Sequence, residues 1–173
     1  MLLAVPCVAA PAQPQPRTGR DERAVILATV ERMFEGMRTK DTAAVRAVFH
    51  PTARLVGMRT PAGGGSRVQV ISVDEWVAYI ARDQRGEWIE RAWDPEVRID
   101  GTLATVWAAY DFHLGGKFSN CGIDAVQLLQ TAEGWRIMSI ADTYTTEGCV
   151  LRPPPTTGGE AGRPGPQSRG VSQ

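Results

Sequence analysis

The stretch that decides the fold of this chain runs from Gly101 to Cys149 and reads GTLATVWAAYDFHLGGKFSNCGIDAVQLLQTAEGWRIMSIADTYTTEGC. Apolar side chains alternate over 104–114, which is the period of two that a half-buried strand shows. Glycine-containing turns at 115–117 and 133–134 divide the stretch into three strands, because glycine adopts positive φ at no steric cost. The pattern therefore predicts two consecutive antiparallel hairpins with one apolar face, which needs helices to cover it.

Amphipathic segments upstream supply that cover. A first helix is predicted to begin near Asp21, with an apolar stripe at 26, 30, 33, 34 and 37. A short helix over 42–49 follows, with Asp41 as its N-cap and Pro51 ending it. Ser72 and Glu75 form a capping box that opens a third helix. Short strands are predicted over 52–58 and 68–71, and a longer one over 88–99 interrupted at 94–95. This order of elements predicts an α+β fold in which a curved sheet wraps around helices.

Composition and charge limit the classes of function. The chain has 173 residues, enough for one domain with a core of its own, and its formal net charge is zero. The two ends each carry +2, so the body over 21–151 carries −4. A mildly acidic body without a basic helix excludes nucleic acid as the expected partner.

The two ends are predicted to lie outside the folded domain, which spans 20–151. Residues 1–19 include a short apolar run that closes in Ala10-Pro11-Ala12, the small-x-small form of a signal-peptidase site, although no positively charged region precedes it. This predicts a signal peptide or disordered leader and a periplasmic or secreted protein, with a cytoplasmic location as the alternative. The run is too short to span a bilayer. Residues 152–173 are rich in Pro and Gly and predict a disordered tail.

The body of the chain resembles a known family. The segments that carry the resemblance cover nearly all of 22–149 and are Phe34-Glu35-Gly36-Met37 with Asp41, Val48-Phe49-His50-Pro51 with Ala53, Ser72-x-x-Glu75-Trp76, Ile99-x-Gly101 with Ala104, Tyr110-Asp111-Phe112, Cys121-Gly122-Ile123-Asp124, and Gly134-Trp135-x-Ile137 leading to Asp142-Thr143 and Cys149. In order and spacing they resemble the nuclear transport factor 2-like (NTF2-like) superfamily, and within it the polyketide-cyclase-like (SnoaL-like) and "putative lumazine-binding" group. The resemblance implies a cone-shaped, curved antiparallel sheet, the cystatin-like half-barrel, with a ligand-sized cavity and often a homodimer formed through the sheet. It implies no particular reaction, because this superfamily holds both enzymes and binders.

Two carboxylates are the candidate catalytic residues. Centring the first hairpin on Gly116 pairs Ala108 with Asp124 and turns Asp124 inward. A three-residue second turn would then place Asp124 opposite Asp142, and a two-residue turn would place it opposite Thr143. In the first register two carboxylates share an apolar cavity and one pKa rises, which suits a general base. The alternative is that both aspartates bond to backbone groups.

Histidines and cysteines add little chemistry. His50 and His113 are the only histidines, and no pair of His and Cys has metal-ligand spacing, so neither a metal nor another cofactor is expected. His50 is a possible acid or base of the cavity, or else a surface residue, and His113 is predicted to be exposed. Cys121 and Cys149 lie on neighbouring antiparallel segments and are predicted to form a disulfide if the protein is exported, or to stay reduced if it is not.

The function hypotheses follow from these residues. The expected walls of the cavity are Phe34, Trp76, Tyr79, Tyr110 and Phe112, and the expected polar anchors are His50, Asp124 and Asp142. The leading hypothesis is a binder of a small, apolar or aromatic molecule. The first alternative is an isomerase, dehydratase or cyclase that uses Asp124 or Asp142 as base. The second is a protein-interaction module that uses the outer sheet face, where alternation places Trp107, Ile123 and Leu129 and where a homodimer is expected.

Overall fold

A computed structural model describes residues 19–59 and 65–150. Three helices and six strands follow one another along the chain, with the bounds α1 (Gly19–Thr39), α2 (Thr42–Val48), β1 (Phe49–Arg59), β2 (Arg67–Ser72), α3 (Val73–Arg82), β3 (Trp88–Asp100), β4 (Leu103–Leu114), β5 (Lys117–Thr131) and β6 (Gly134–Asp142). Apart from Gly19, which begins α1, the predicted leader over 1–19 lies outside the described residues, and so does the predicted tail over 152–173. No helix in the described ranges has both the length and the apolar character needed to cross a bilayer.

The six strands form one mixed, unclosed sheet in the order β2-β1-β6-β5-β4-β3. Strands β3 to β6 pair in sequence as an antiparallel meander, as the alternation predicts. The β1–β2 hairpin extends the sheet beyond β6, and β1 runs parallel to β6. The sheet is therefore mixed rather than wholly antiparallel, because the strand that enters from α2 lies beside the last strand of the meander.

The helices cover one face of the sheet. The buried stripe of α1 packs toward β3 and β6, and α2 crosses α1 where a Cβ on Gly36 would lie only 2.8 Å from a methyl carbon of Val45. That approach requires glycine at position 36. Asp41 accepts hydrogen bonds from two backbone N–H groups of α2, and Ser72 and Glu75 form the predicted capping box of α3. The helix starts are thus set by the residues that the sequence predicts.

The β4–β5 hairpin has the predicted register, with Ala108 opposite Asp124. In the β5–β6 hairpin Asp124 pairs with Asp142, which is one of the two predicted registers, but the predicted three-residue turn is absent. Its turn has two residues, and a β-bulge at Met138 then adds one residue to β6. Because one extra residue shifts the register by one position, the bulge aligns the two aspartates.

A second bulge interrupts β3 where the sequence has Asp94-Pro95. Register shifts between Trp93 and Glu96, and Asp94 has a φ of +49°. An extra residue at this point reverses which face the following side chains take, so the half of β3 from Trp88 to Trp93 turns Trp88 and Glu90 toward the helices. The bulge therefore determines which charged side chain of β3 enters the site.

Candidate functional site

A cavity of about 200 Å³ lies between the sheet and helices α1 and α3. All six strands contribute to its walls, which consist mainly of apolar and aromatic side chains with a few polar ones at one end: Met33, Met37, Leu55, Val56, Gly57, Gln69, Ile71, Trp76, Trp88, Glu90, Tyr110, Phe112, Asn120, Asp124, Ile140, Asp142 and Tyr144. An apolar pocket with a few convergent polar groups is the usual form of a small-molecule site.

Two indole rings form opposite parts of the aromatic wall. The ring of Trp76 packs edge-on against Phe49, with 5.8 Å between ring centroids. The ring of Trp88 packs edge-on against Phe112 at 5.5 Å, and its Nε1 donates a hydrogen bond of 3.1 Å to Asp83. Because each ring is held by a neighbour, the aromatic wall is formed before any ligand arrives.

The polar end of the cavity brings three carboxyl groups together from three strands. Asp124 on β5 lies opposite Asp142 on β6, and Glu90 reaches them from β3. Asp124 is only 4% exposed. The carboxyl of Glu90 donates a hydrogen bond to Asp124, which places the shared proton on Glu90. The site is thus a proton-sharing carboxyl pair with a third carboxyl beside it.

The pKa values of this pair follow from burial and like charge. Burial raises the pKa of Glu90 well above its ordinary value, and the negative charges of Asp124 and Asp142 raise it further. Burial also raises the pKa of Asp124 to about 6, against the opposing effect of the hydrogen bond from Glu90. Desolvation disfavours the charged form of any carboxyl group. Both carboxyl groups therefore hold a proton more tightly than an exposed carboxyl group does.

Tyr110 and Asn120 extend the polar end into a hydrogen-bond chain. The phenol of Tyr110 donates to the backbone oxygen of Thr143 at 2.8 Å and accepts from Asn120 Nδ2 at 3.0 Å. Burial, together with the nearby charge of Asp142, raises the pKa of Tyr110, so this group stays a neutral phenol. Tyr110 therefore acts here as a fixed dipole rather than as a base.

The segment after β6 closes this end of the cavity. Cys121 and Cys149 form a disulfide with an S–S distance of 2.05 Å, which confirms the predicted pairing. The segment runs antiparallel beside β5, so closely that a Cβ on Gly122 would lie 2.0 Å from the backbone oxygen of Thr143. Glycine at 122 permits this approach, and Tyr144 of the same segment lines the cavity.

Five of the residues predicted from sequence line the cavity, and they are Trp76, Tyr110, Phe112, Asp124 and Asp142. The other three predicted residues lie elsewhere. Phe34 is buried, but it lines a second cavity of about 40 Å³ between α1 and strands β3, β4 and β5. Tyr79 is 58% exposed, because the buried stripe of α3 runs through Val77 and Ile80 and turns Tyr79 to solvent. The ring of His50 hydrogen-bonds to Thr52 on the same strand, outside the cavity.

The outer face of the sheet differs from the sequence prediction at His113. Its side chain is 18% exposed rather than fully exposed, because it packs edge-on against Phe118 and lies 3.4 Å from the buried Asp111. Arg91 binds the same carboxylate through two hydrogen bonds of 2.7 and 2.6 Å. This ion pair lies on the face of the sheet opposite to the cavity.

Sequence reasoning missed Glu90, Trp88 and Asn120. The signal for the first two was the Asp94-Pro95 interruption, which marks a bulge and hence a change of face along β3. Asn120 lies opposite Phe112, and the register centred on Gly116 also places it there, on the same face as Asp124, so alternation alone could have identified it. For Trp88 and Glu90, one inserted residue decided which side chains face inward.

Three helices over one face of a curved mixed sheet, with a cavity between the two layers, define an NTF2-like domain. Residues 21–141 match the family described as "putative lumazine-binding", and the chain belongs to that family.

Solved structures with this fold come from several bacteria. An NTF-2 like protein of unknown function from Silicibacter pomeroyi DSS-3 is 21% identical, with 75% of this chain and 100% of that chain covered and a TM-score of 0.58. An NTF2-like protein of unknown function from Shewanella baltica OS155 is 17% identical, with 76% and 100% covered and a TM-score of 0.59. An NTF2-like protein with a cystatin-like fold from Novosphingobium aromaticivorans is 14% identical, with 75% and 85% covered and a TM-score of 0.58. None of the curated proteins matches this chain. At these identities the likeness shows the fold alone.

Proposed function

We propose that this domain binds a small, largely apolar molecule with an aromatic ring, held in the cavity between the sheet and the helices. The observation that carries the proposal is the cavity itself, whose walls are aromatic and apolar and whose polar groups converge at one end. An apolar cavity of about 150 Å³ admits benzene. A space of about 200 Å³ therefore suits a single ring with a short substituent.

The family assignment supports the same function class. The description of the family refers to ligand binding, and a cavity lined by Trp76, Trp88 and Phe112 is suited to stacking against a flat ring. Asp124 and Asp142 would then orient the polar group of the ligand.

A cavity-filling substitution tests the binding proposal. Ile71 lines the cavity, whereas its neighbour Val70 is 56% exposed and does not. We expect Ile71→Trp to abolish binding of single-ring aromatic probes in ligand-observed NMR, while Val70→Trp binds them as the wild type does. Native mass spectrometry of protein purified from its own host should show a co-purifying mass that Ile71→Trp lacks. Equal probe binding by all three proteins would contradict the proposal.

A second candidate function is acid–base catalysis, and the pKa of Asp124 favours it. A carboxylate with a pKa of about 6 in an apolar cavity has the basicity that proton abstraction beside a carbonyl group requires. Asp142, which raises that pKa, is the other candidate base. For a ligand that is turned over, we expect Asp124→Asn to lower kcat by about 10²–10⁴-fold. A pure binder would keep its ligand within a small factor, so the two functions separate on one variant.

We also propose that the outer sheet face forms a homodimer. Trp107 is 55% exposed there, Leu129 on the neighbouring strand is 36% exposed, and an exposed tryptophan on an open sheet is typical of an interface. Light scattering should give a dimeric mass for the wild type and a monomeric mass for Trp107→Lys. Tyr79→Lys, a change at an equally exposed ring on α3, should leave the dimer intact. A monomeric wild type that captures one defined partner would instead favour a protein-interaction module.

The disulfide supports the proposal that the protein works in the periplasm or outside the cell. Disulfides persist in oxidising compartments and are rare where thiols are kept reduced.

A further inference from the structure

We propose that Asp83, which lies outside the cavity, is a positioning residue that holds the ring of Trp88 in the cavity wall and so makes the site select planar ligands over thicker ones of the same size. The inference rests on the proposed binding function and identifies the shape of ligand that the site takes. It follows from one hydrogen bond to the cavity wall, from the contacts that fix its acceptor and from the place of Trp88 at the start of a strand.

Trp88 lies where the backbone gives a wall residue little support. It is the first residue of β3, and its strand partner, Leu114, is the last residue of β4. The ring turns about its side-chain torsions, and its edge-on contact with Phe112 at 5.5 Å leaves the direction of Nε1 open. The hydrogen bond of 3.1 Å from Nε1 to the Asp83 carboxylate removes that freedom, because hydrogen bonds are directional.

The Asp83 carboxylate is itself fixed and charged. Its side chain is 5% exposed, and Arg85 donates hydrogen bonds to it through Nε, at 2.9 and 3.0 Å, and through its backbone N–H, at 2.9 Å. These hydrogen bonds, those of the Arg85 side chain first, hold the pKa of Asp83 well below its ordinary value, so the acceptor stays ionised at neutral pH. A charged acceptor forms a stronger hydrogen bond with the indole N–H than a neutral one does.

The backbone around Asp83 is anchored to three neighbouring elements. Its N–H donates to the carbonyl oxygen of Tyr79 in α3 at 3.1 Å, and its own carbonyl oxygen accepts from the ammonium group of Lys40, which lies between α1 and α2. Further along the same loop, Gly86 has a φ of +128° and lies so close to the β4–β5 turn that a Cβ on it would be 2.5 Å from the Cα of Gly115. The acceptor therefore has a fixed position relative to β3 before any ligand binds.

An indole ring held in one orientation gives the cavity a wall of fixed shape. Trp88 and Trp76 both line the space of about 200 Å³, and a planar ring makes closer contact with a fixed aromatic ring than a puckered saturated ring does. Asp83 is the acceptor that the described residues supply to the Nε1–H of Trp88. Without that acceptor the partly buried donor is left unpaired, and the ring turns to seek water or the ligand. The preference for a planar ring is therefore expected to depend on this hydrogen bond and not on cavity volume alone.

The test compares benzyl alcohol with cyclohexylmethanol, which carries the same hydroxymethyl group on a thicker, saturated ring, by isothermal titration calorimetry and ligand-observed NMR. We expect the wild type to bind benzyl alcohol about tenfold more tightly, which is the effect of a favourable aromatic contact. Asp83→Leu should reduce the preference to about twofold or less, whereas Asp83→Asn, which keeps an oxygen acceptor, should retain most of it. Two controls should behave as the wild type does: Arg85→Gln removes the ion pair but leaves the acceptor, and Asp74→Leu removes an exposed ion pair with Arg46 elsewhere on α3.

A spectroscopic measurement on the wild type does not require any change at Asp83. The Nε1–H signal of Trp88, assigned in a proton–nitrogen correlation spectrum with Trp88→Phe, should exchange with water several-fold more slowly than that of the exposed Trp107. Asp83→Leu should shift the Trp88 signal upfield and speed its exchange, and Asp83→Asn should restore both. Equal exchange of the two wild-type signals would show that the hydrogen bond does not persist in solution and would overturn the inference.

The outcomes separate this inference from the function on which it rests. A preference for benzyl alcohol that Asp83→Leu leaves intact, with Ile71→Trp abolishing binding, would overturn the positioning role of Asp83 and uphold the cavity as a binding site. Equal binding of the two probes by the wild type would do the same. Absence of binding by both probes would contradict both proposals.

Discussion

Replacing Cys121 and Cys149 together with alanine is expected to lower the free energy of unfolding by about 3–4 kcal/mol. The disulfide joins residues 28 positions apart, and in the chain-entropy model a cross-link of this span removes that much freedom from the unfolded chain. The loss is large for a domain whose total stability is of the order of 5–15 kcal/mol. Urea unfolding followed by tryptophan fluorescence measures it.

The disulfide also holds the segment that closes the cavity. Cys121 pairs with Thr145 through two backbone hydrogen bonds of 2.9 Å, and Thr143 accepts the hydrogen bond of the Tyr110 phenol. We therefore expect the double variant to bind the aromatic probe more weakly than the wild type at temperatures where both are folded. Wild type treated with a reductant should behave as the double variant does. An unaltered unfolding midpoint in the double variant would contradict the prediction.

The hairpins could be predicted from sequence, because alternation and glycine turns are local signals. Centring the first hairpin on Gly116 gives the observed pairing of Ala108 with Asp124, although the structure reaches it by a two-residue turn and a bulge at Ser119. The pairing of Asp124 with Asp142 could only be stated as one of two registers, because it depends on a bulge at Met138 that no local residue pattern marks. Residues of a bulge are selected by the packing of the whole sheet, which a single sequence does not display.

The residues of the site could be predicted only in part, because bulges also determine which of their side chains face the cavity. Tyr110, Phe112 and Asp124 lie on regular stretches of strand, where alternation gives the correct face. Glu90 lies beyond the bulge at Asp94, where counting by twos gives the wrong face. The prediction of Tyr79 as a wall was wrong because the position of a half-buried helix face depends on the neighbouring element, and α3 turns its Val77 side inward.

The role of Glu90 depends on two features that could not be predicted from sequence, the bulge in β3 and the electrostatics of the cavity. A carboxyl group placed beside Asp124 in an apolar cavity cannot ionise together with it at ordinary pH. The bulge in β3 therefore does more than bend a strand, since it brings in the residue whose proton bonds to Asp124. Two carboxyl groups with separated pKa values in one cavity are typical of functional sites.

The stability of the protein is expected to fall as pH rises from 5 to 8. Asp124 and Glu90 have folded-state pKa values raised above their unfolded values, so the folded state holds protons that the unfolded chain has released. Stability decreases with pH wherever the folded state binds more protons. Between pH 5 and pH 8, on either side of its pKa of about 6, Asp124 alone loses about 1.4 kcal/mol, and Glu90 adds a further loss in the same direction.

Other carboxyl groups do not reverse this trend in the chosen window. Glu35, Glu75, Asp83 and Glu133 have lowered pKa values, so the stability that they contribute is complete above about pH 5 and is lost only in more acidic solution. None of these four carboxyl groups therefore opposes the trend between pH 5 and pH 8.

Glu90→Gln distinguishes the cavity from the rest of the molecule. The amide keeps the shape of the side chain and can donate a hydrogen bond to Asp124 without titrating. We therefore expect the variant to show a weaker dependence of stability on pH and to be more stable than the wild type at pH 8. The matched control is Glu96→Gln, a change at an exposed position of the same strand, which should keep the wild-type slope. Urea unfolding midpoints of the three proteins, measured at four pH values, test this prediction. A wild type that is more stable at pH 8 than at pH 5 would show that Glu90 and Asp124 are not held at raised pKa values, and that the polar end of the cavity is open to water.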